Sequence, residues 1–249
     1  MSTRDIVQDI VKHTAGLGFI TSVKVSSTDE ATTLDAMDAD RTVILQAKLH
    51  NVVDEFTGEF GLGNLGFLAG VSALPNYQTE DSTVEVITRD RNGVTSPDHL
   101  MFRDAEGNTD QYRFMSKEII EQTLQTVKFK GVEWDVTLEP TKAKVTELQQ
   151  VAGIYGGIEP NFTVKTDNGD LIVTVGASDG SFTGKRTFAK NVVGEITEGY
   201  AWPLNQVLAI LKLGMSGTCV MQISKKGALL ISVDSGIGKY DYILPALTV

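Results

Sequence analysis

Arg4-Asp-Ile-Val-Gln-Asp-Ile-Val-Lys-His-Thr-Ala15 and Lys144-Val-Thr-Glu-Leu-Gln-Gln-Val-Ala-Gly-Ile-Tyr155 are two amphipathic segments in one chain, and each introduces a strand-rich stretch. In the first, Ile6, Val7, Ile10 and Val11 recur at helical spacing, while Arg4, Gln8 and Lys12 follow the opposite face. In the second, Val145, Leu148, Ala152 and Tyr155 make the apolar stripe. Landmarks recur at a nearly constant shift: Ile6 and Leu148 are 142 residues apart, Phe19 and Phe162 are 143, and Leu62 and Leu204 are 142. In a chain of 249 residues this predicts a duplicated unit and two domains of ordinary size.

Working outward, β-branched runs broken by polar turns predict strands over 19–25, 32–36 and 42–49. A glycine-rich helix over 62–74, stopped by Pro75, follows, and then strands over 83–88, 100–103 and 111–115. The second half repeats the plan: strands over 162–166, 171–175 and 182–190, a helix from Pro203 to about Leu213, and strands over 218–224, 228–233 and 240–244. The segment 117–127 has a helix-compatible composition, whereas 129–138 alternates like a strand. The expected division is an N-terminal domain over 1–127, a connector over 128–140 and a C-terminal domain over 141–249. The expected fold class is α+β, with antiparallel sheet covered by helices on one side.

The composition excludes several classes of function. Net charge is −10, and it is uneven: residues 1–138 hold 22 acids and 12 bases, residues 139–249 hold 10 of each. A negative chain binds phosphate only if its bases are gathered on one face. The single cysteine, Cys219, rules out a disulfide framework within the chain and a cysteine-cluster metal site. It lies in an apolar strand and reads as an inert thiol. No signal-peptide core or membrane-length apolar run is seen, so a cytoplasmic location and no membrane partner are expected. The glycosylation-like Asn161-Phe-Thr163 is then coincidental.

Candidate chemistry is sparse. Gly61-Leu-Gly63-Asn-Leu-Gly66 fits a dinucleotide-binding turn, but neither flank reads as a buried βαβ unit. His13, His50 and His99 are expected to be surface or packing residues with no partner at ligand spacing. Asp35, Asp38 and Asp40 lack the glycine and closing glutamate of a calcium loop and read as a solvated turn. No cofactor, metal or catalytic centre is expected. Arg4, Lys12, Lys142, Lys144 and Lys212 place bases on three of the four predicted helices. They are either ordinary solvated surface or one shared face for sequence-independent phosphate contact.

Three further stretches carry a resemblance. Leu34-Asp-Ala-Met37-Asp38-Ala-Asp-Arg41-Thr-Val-Ile-Leu45-Gln-Ala-Lys-Leu49 resembles the first-domain signature of the two-domain DNA sliding clamps. Asp110-Gln-Tyr112-Arg-Phe-Met115 is similar to the strand that closes the first clamp domain, and Tyr240-Asp-Tyr242-Ile-Leu-Pro245-Ala246 to the last clamp strand. The divergence points to a clamp of the T4-like bacteriophage type. The resemblance implies a non-enzymatic processivity factor. Three identical chains would close a head-to-tail ring around double-stranded DNA, with two helices per domain facing the hole, and would work with a clamp loader and a DNA polymerase. It implies a subunit interface through Asp110, Tyr112 and Phe114 of one copy and Phe182, Lys185, Arg186 and Lys190 of the next. It implies a partner-peptide pocket at Met37, Ile44, Tyr242, Leu244 and Pro245, beside the connector around 129–134. It makes Arg4, Lys12, Lys142, Lys144 and Lys212 the DNA-facing residues. A β-rich structural ring protein, such as a phage tail-tube subunit, is the alternative; it would need no basic helical face.

Overall fold

The computed structural model describes residues 2–91, 93–124, 129–176 and 182–247. The chain divides into two units: Met1–Ala39 with Leu45–Val127 and Gly236–Lys239, and Asp40–Ile44 with Lys128–Ser235 and Tyr240–Val249. Short segments are therefore exchanged, which the sequence did not suggest. The expected boundary at 127/128 lies outside the described residues.

The first unit begins with α1 (Thr3–His13), then β1 (Val23–Ser27), β2 (Thr32–Met37), β3 (Ile44–Leu49) and β4 (Gly58–Leu62). Next come α2 (Leu65–Ser72), β5 (Thr83–Arg91), β6 (Val94–Arg103), β7 (Thr109–Arg113) and α3 (Lys117–Thr123). The second contains β8 (Val136–Leu138), α4 (Lys142–Tyr155), β9 (Asn161–Asp167), β10 (Asp170–Gly176) and β11 (Thr183–Ala189). It continues with β12 (Tyr200–Pro203), α5 (Leu204–Gly214), β13 (Thr218–Ser224), β14 (Ala228–Asp234) and β15 (Gly238–Pro245).

The duplication is exact in topology. The first unit has strand orders β4-β1-β2-β3 and β5-β6-β7; the second has β12-β9-β10-β11 and β13-β14-β15, with β8 added beside β13. The printed pairs are antiparallel: Val25 opposes Leu34 and Phe60, and Val164 opposes Val173 and Tyr200. The first helices start at Thr3 and Lys142 and the second at Leu65 and Leu204, 139 residues apart in each case (142 less 3, 204 less 65). The shift of 142 to 143 read from the sequence is thereby corrected. Phe19 precedes β1, and Leu62 closes β4 instead of opening α2.

Local chemistry fixes the helix starts. Ser2 caps α1: its hydroxyl accepts from the Asp5 amide, and the Asp5 carboxylate accepts from the Ser2 amide at 2.8 Å. The Ser2 backbone bond holds the Asp5 carboxyl below its ordinary value. Thr141 caps α4 by accepting from the Lys144 amide. Apolar residues on one side of each sheet form the cores, Val23, Val25, Phe60 and Leu62 in one unit and Phe162, Val164, Val173 and Trp202 in the other. Strand alternation points Lys24, Glu59 and Gly61 away from that core, and α3 lies over them. There Lys24 bridges Glu59 and Glu121, each at 3.2 Å, and Lys117 also pairs with Glu59. The strand expected over 129–138 is only Val136–Leu138; the preceding residues turn at Gly131 (φ 76°) and stack Phe129 on Trp134 at 6.2 Å.

Candidate DNA-facing and interaction surfaces

The predicted bases divide into two kinds. Lys12 and Lys142 are exposed, as is Lys212 in the last turn of α5. Arg4 is instead committed to its own unit: its guanidinium donates to the Thr79 carbonyl and, at 2.8 Å, to the Ser82 hydroxyl. Lys144 is half-buried and pairs with Glu147 at 2.7 Å. Lys142 and Lys144 lie in the first turn of α4, where a helix dipole disfavours cations by about 0.3–1 kcal/mol each at an exposed site. In the first unit α1 packs on α2, and in the second α4 packs on α5. No residue of α2 carries a charge.

The strands named for a subunit interface occupy comparable places. Among the described residues, β7 ends the order β5-β6-β7, and β11 ends the order β12-β9-β10-β11. A strand at the end of a sheet presents backbone N–H and C=O groups to a further strand. On β7, Asp110 accepts from the Tyr77 hydroxyl at 2.7 Å, and burial, with this carboxylate adding to it, pushes the Tyr77 phenol up to about 12. Tyr112 and Phe114 are buried, with the Phe114 ring stacked on Phe60 at 4.4 Å. They support the strand from behind. On β11 and beside it, Phe182, Lys185, Arg186 and Lys190 are exposed, and Arg186 reaches Glu147 of α4 at 3.8 Å.

The residues named for a peptide pocket differ in exposure. Met37 ends β2 and Ile44 begins β3; both are half-buried. Tyr242 and Leu244 are fully buried, and the Leu244 carbonyl accepts from the Trp202 indole at 3.0 Å. Pro245 is exposed. After it the Ala246 amide donates to the Gly227 carbonyl and the Leu247 amide to that of Ala201, which holds these two residues on their own unit.

Other readings change with the structure. The glycines at 61 and 63 are packing residues: a β-carbon at Gly61 would lie 2.7 Å from Ile120 and one at Gly63 2.4 Å from the Met115 sulfur. The strand before them is antiparallel to β1, and Asn64 enters α2 with a left-handed φ of 54°. That is not a dinucleotide turn. His13 does have a partner at helical spacing, Asp9, 3.7 Å away, and both are buried in α1. Burial pushes the His13 imidazole down to about 4 despite the opposing pull of Asp9. His99 contacts Asp98 at 3.0 Å. Among the described residues no three His, Cys, Asp or Glu side chains gather as a metal site. Asp35 lies in β2 and Asp38 is buried, so of the three only Asp40, exposed in the turn after β2, fits the solvated-turn reading. Burial raises the Asp35 carboxyl against the pull of Lys24. Burial likewise pushes the Cys219 thiol up to about 11, as expected of an inert cysteine. No helix among the described residues is long and apolar enough to cross a membrane.

No protein-family model and no curated protein matches the sequence. Solved structures do. One, the C-terminal region of FEN-1 bound to A. fulgidus PCNA, matches over 100% of this chain and 97% of that chain, with TM-score 0.71 and 10% identity. PCNA from Thermococcus kodakaraensis matches over 99% and 98%, with TM-score 0.69 and 12% identity. The PCNA2-PCNA3 complex from Sulfolobus tokodaii matches over 99% and 97%, with TM-score 0.67 and 14% identity. The chain has the PCNA-type sliding-clamp fold, with two similar α+β units and antiparallel sheets.

Proposed function

We propose that this protein is a sliding clamp: three copies close head to tail around duplex DNA and tether a DNA polymerase without catalysing a reaction themselves. The observation that carries this reading is the exact repetition of topology along the chain, over the full length of a PCNA-type fold. A repeated unit with one open sheet end on β7 and another on β11 suits heterologous contacts that close by rotation. Lys12, Lys142 and Lys212, the exposed bases, would face phosphates. Arg4 and Lys144 are half-buried and would contribute less.

The mechanism is topological. Weak, sequence-blind contacts let a ring slide, and closure keeps it on the strand. A polymerase held on the ring has a high effective concentration at the primer end. Closure around a duplex requires opening, which is the role of a clamp loader. Of the residues named for the partner peptide, Met37, Ile44 and Pro245 are the ones it could touch, since Tyr242 and Leu244 are fully buried. The divergence of its clamp-like sequence stretches is the reason to place the chain with the clamps of T4-like phages. Primer extension on a long circular template, with and without the chain, tests the reading. Longer products per binding event are expected from the cognate polymerase and loader; unchanged product length overturns it.

A further inference from the structure

One unit has a strand that the other lacks. In the second unit β8 lies beside β13, with Leu138 opposite Met221, Thr137 opposite Gln222 and Val136 opposite Ile223. β5 is the matching strand of the first unit: like β13 it follows the second helix and opens an antiparallel run of three. Among the described residues nothing pairs with its outer edge, and β5 ends the order β5-β6-β7.

The two edges differ. Beside β8, Met221 and Ile223 are 1% and 0% exposed, whereas Val86 and Ile87 of β5 are only half-buried. β5 is also 9 residues long, while edge strands left in water are commonly kept very short. Two features limit where a further strand can add. β5 starts against α1, whose Arg4 ties down Thr79 and Ser82. A bulge then interrupts it between Ile87 and Thr88. The stretch 85–87 between them is as long as the run that β8 pairs with.

β8 shows what such a strand must carry. Its apolar Val136 and Leu138 alternate with Thr137, whose hydroxyl accepts from the Gln222 amide at 3.0 Å. Asp135 stands just before it. Its backbone amide donates to the Ile223 carbonyl at 2.9 Å. Its carboxylate accepts from the Lys225 backbone amide at 2.7 Å and lies 3.7 Å from the Lys225 ammonium. Lys225 is two residues past Ile223. On β5 an exposed cation stands in the same relation, Arg89 two residues past Ile87. Glu85, at the other end, is already paired across the hairpin with Arg103 at 3.9 Å.

We propose that the outer edge of β5 is a docking site for an extended segment of a partner protein, added antiparallel, with an acid at its N-terminal end followed by alternating apolar residues. The acid meets Arg89 and the strand lies along 85–87. Backbone hydrogen bonds then supply affinity, while the alternation and the charge supply specificity. In the proposed ring β7 takes β11 of the next copy, so β5 is the far end of that joint sheet and ring closure does not use it. The site shares no residue with the pocket named at Met37, Ile44, Tyr242, Leu244 and Pro245.

The probe is a synthetic peptide with the sequence of residues 133–139, Glu-Trp-Asp-Val-Thr-Leu-Glu, added to the full chain. Binding should saturate, and amide exchange read by mass spectrometry should slow over 83–91. Arg89→Glu, at an exposed position, should leave Tm unchanged and weaken the peptide about fivefold. A peptide carrying Asp135→Arg should bind the wild type weakly and should regain affinity for the Arg89→Glu chain. No saturable binding, or slowed exchange only outside 83–91, overturns the proposal. Slowed exchange over 83–91 that rises with chain concentration in the absence of peptide gives the edge to a second copy and overturns it too.

Discussion

Ile120 of α3 lies directly on the backbone of Gly61 in β4: a β-carbon at 61 would sit 2.7 Å from Ile120 Cβ. The contact holds α3 on the outer face of β4. Gly61→Ala should therefore destabilise the protein by about 1–3 kcal/mol through overpacking. Ile120→Ala should lose about 2–5 kcal/mol as a core truncation. The double variant should be more stable than the two losses added together, because the smaller side chain makes room for the new methyl. Urea unfolding of the three proteins measures this, and strict additivity would contradict the contact.

Stability should fall on acidification. Burial lowers the His13 pKa in the folded state from 6.5 to about 4. The unfolded chain thus binds the proton first, and stability present above pH 6.5 is lost as pH falls toward 4. The loss is on the order of 3 kcal/mol at most. His13→Gln should flatten the pH dependence of Tm across this window. An unchanged slope would assign the acid sensitivity to carboxylates instead.

The bases should separate into DNA contacts and structural ties. Lys142→Glu and Lys212→Glu should weaken non-specific duplex binding and reduce its salt slope by about one or more per site. Arg4→Gln should leave that slope alone but cost about 1–3 kcal/mol, since Arg4 donates to Thr79 and Ser82. Binding titrations across a potassium chloride series, together with unfolding curves, distinguish the two kinds. Equal effects from all three would remove the distinction.

The last strand should be sensitive at its core end and tolerant at its tip. Trp202→Phe leaves the buried Leu244 carbonyl without its indole donor and should cost about 1–3 kcal/mol. Pro245→Ala, at an exposed position, should change stability by less than about 0.5 kcal/mol while weakening polymerase binding. Calorimetry and a pull-down with the cognate polymerase check the pair. Full polymerase binding by the Pro245 variant would move the docking site elsewhere.

The helices that begin each half were legible because their apolar stripes repeat with helical period. The strands that precede α2 and α5 were not. Gly58–Leu62 is too rich in glycine to show a strand preference, and Gly61 is needed only because Ile120 arrives from far along the chain. Tyr200–Pro203 is short and ends in proline. Missing the first of them put Leu62 at the start of a helix and so matched it to Leu204, which opens α5. Among the site residues, bases could be placed on helices from the sequence, but their partners could not. Glu147 is visible beside Lys144, whereas Ser82 is 78 residues from Arg4. The Asp9–His13 pair was open to reading by its four-residue spacing and was overlooked. The exposed Phe67 and Ile154 look like core residues in sequence, and only the fold shows them outside.

The most direct test of the central claim is retention on DNA by topology. The chain is bound to a nicked circular plasmid, its copies are crosslinked to one another, and the mixture is passed through a sizing column in high salt. The account predicts that crosslinked trimers co-elute with the circle and are released when a single restriction cut makes it linear. Loss from circular and linear DNA alike at high salt would show that charge alone holds the protein there, and would contradict an encircling clamp.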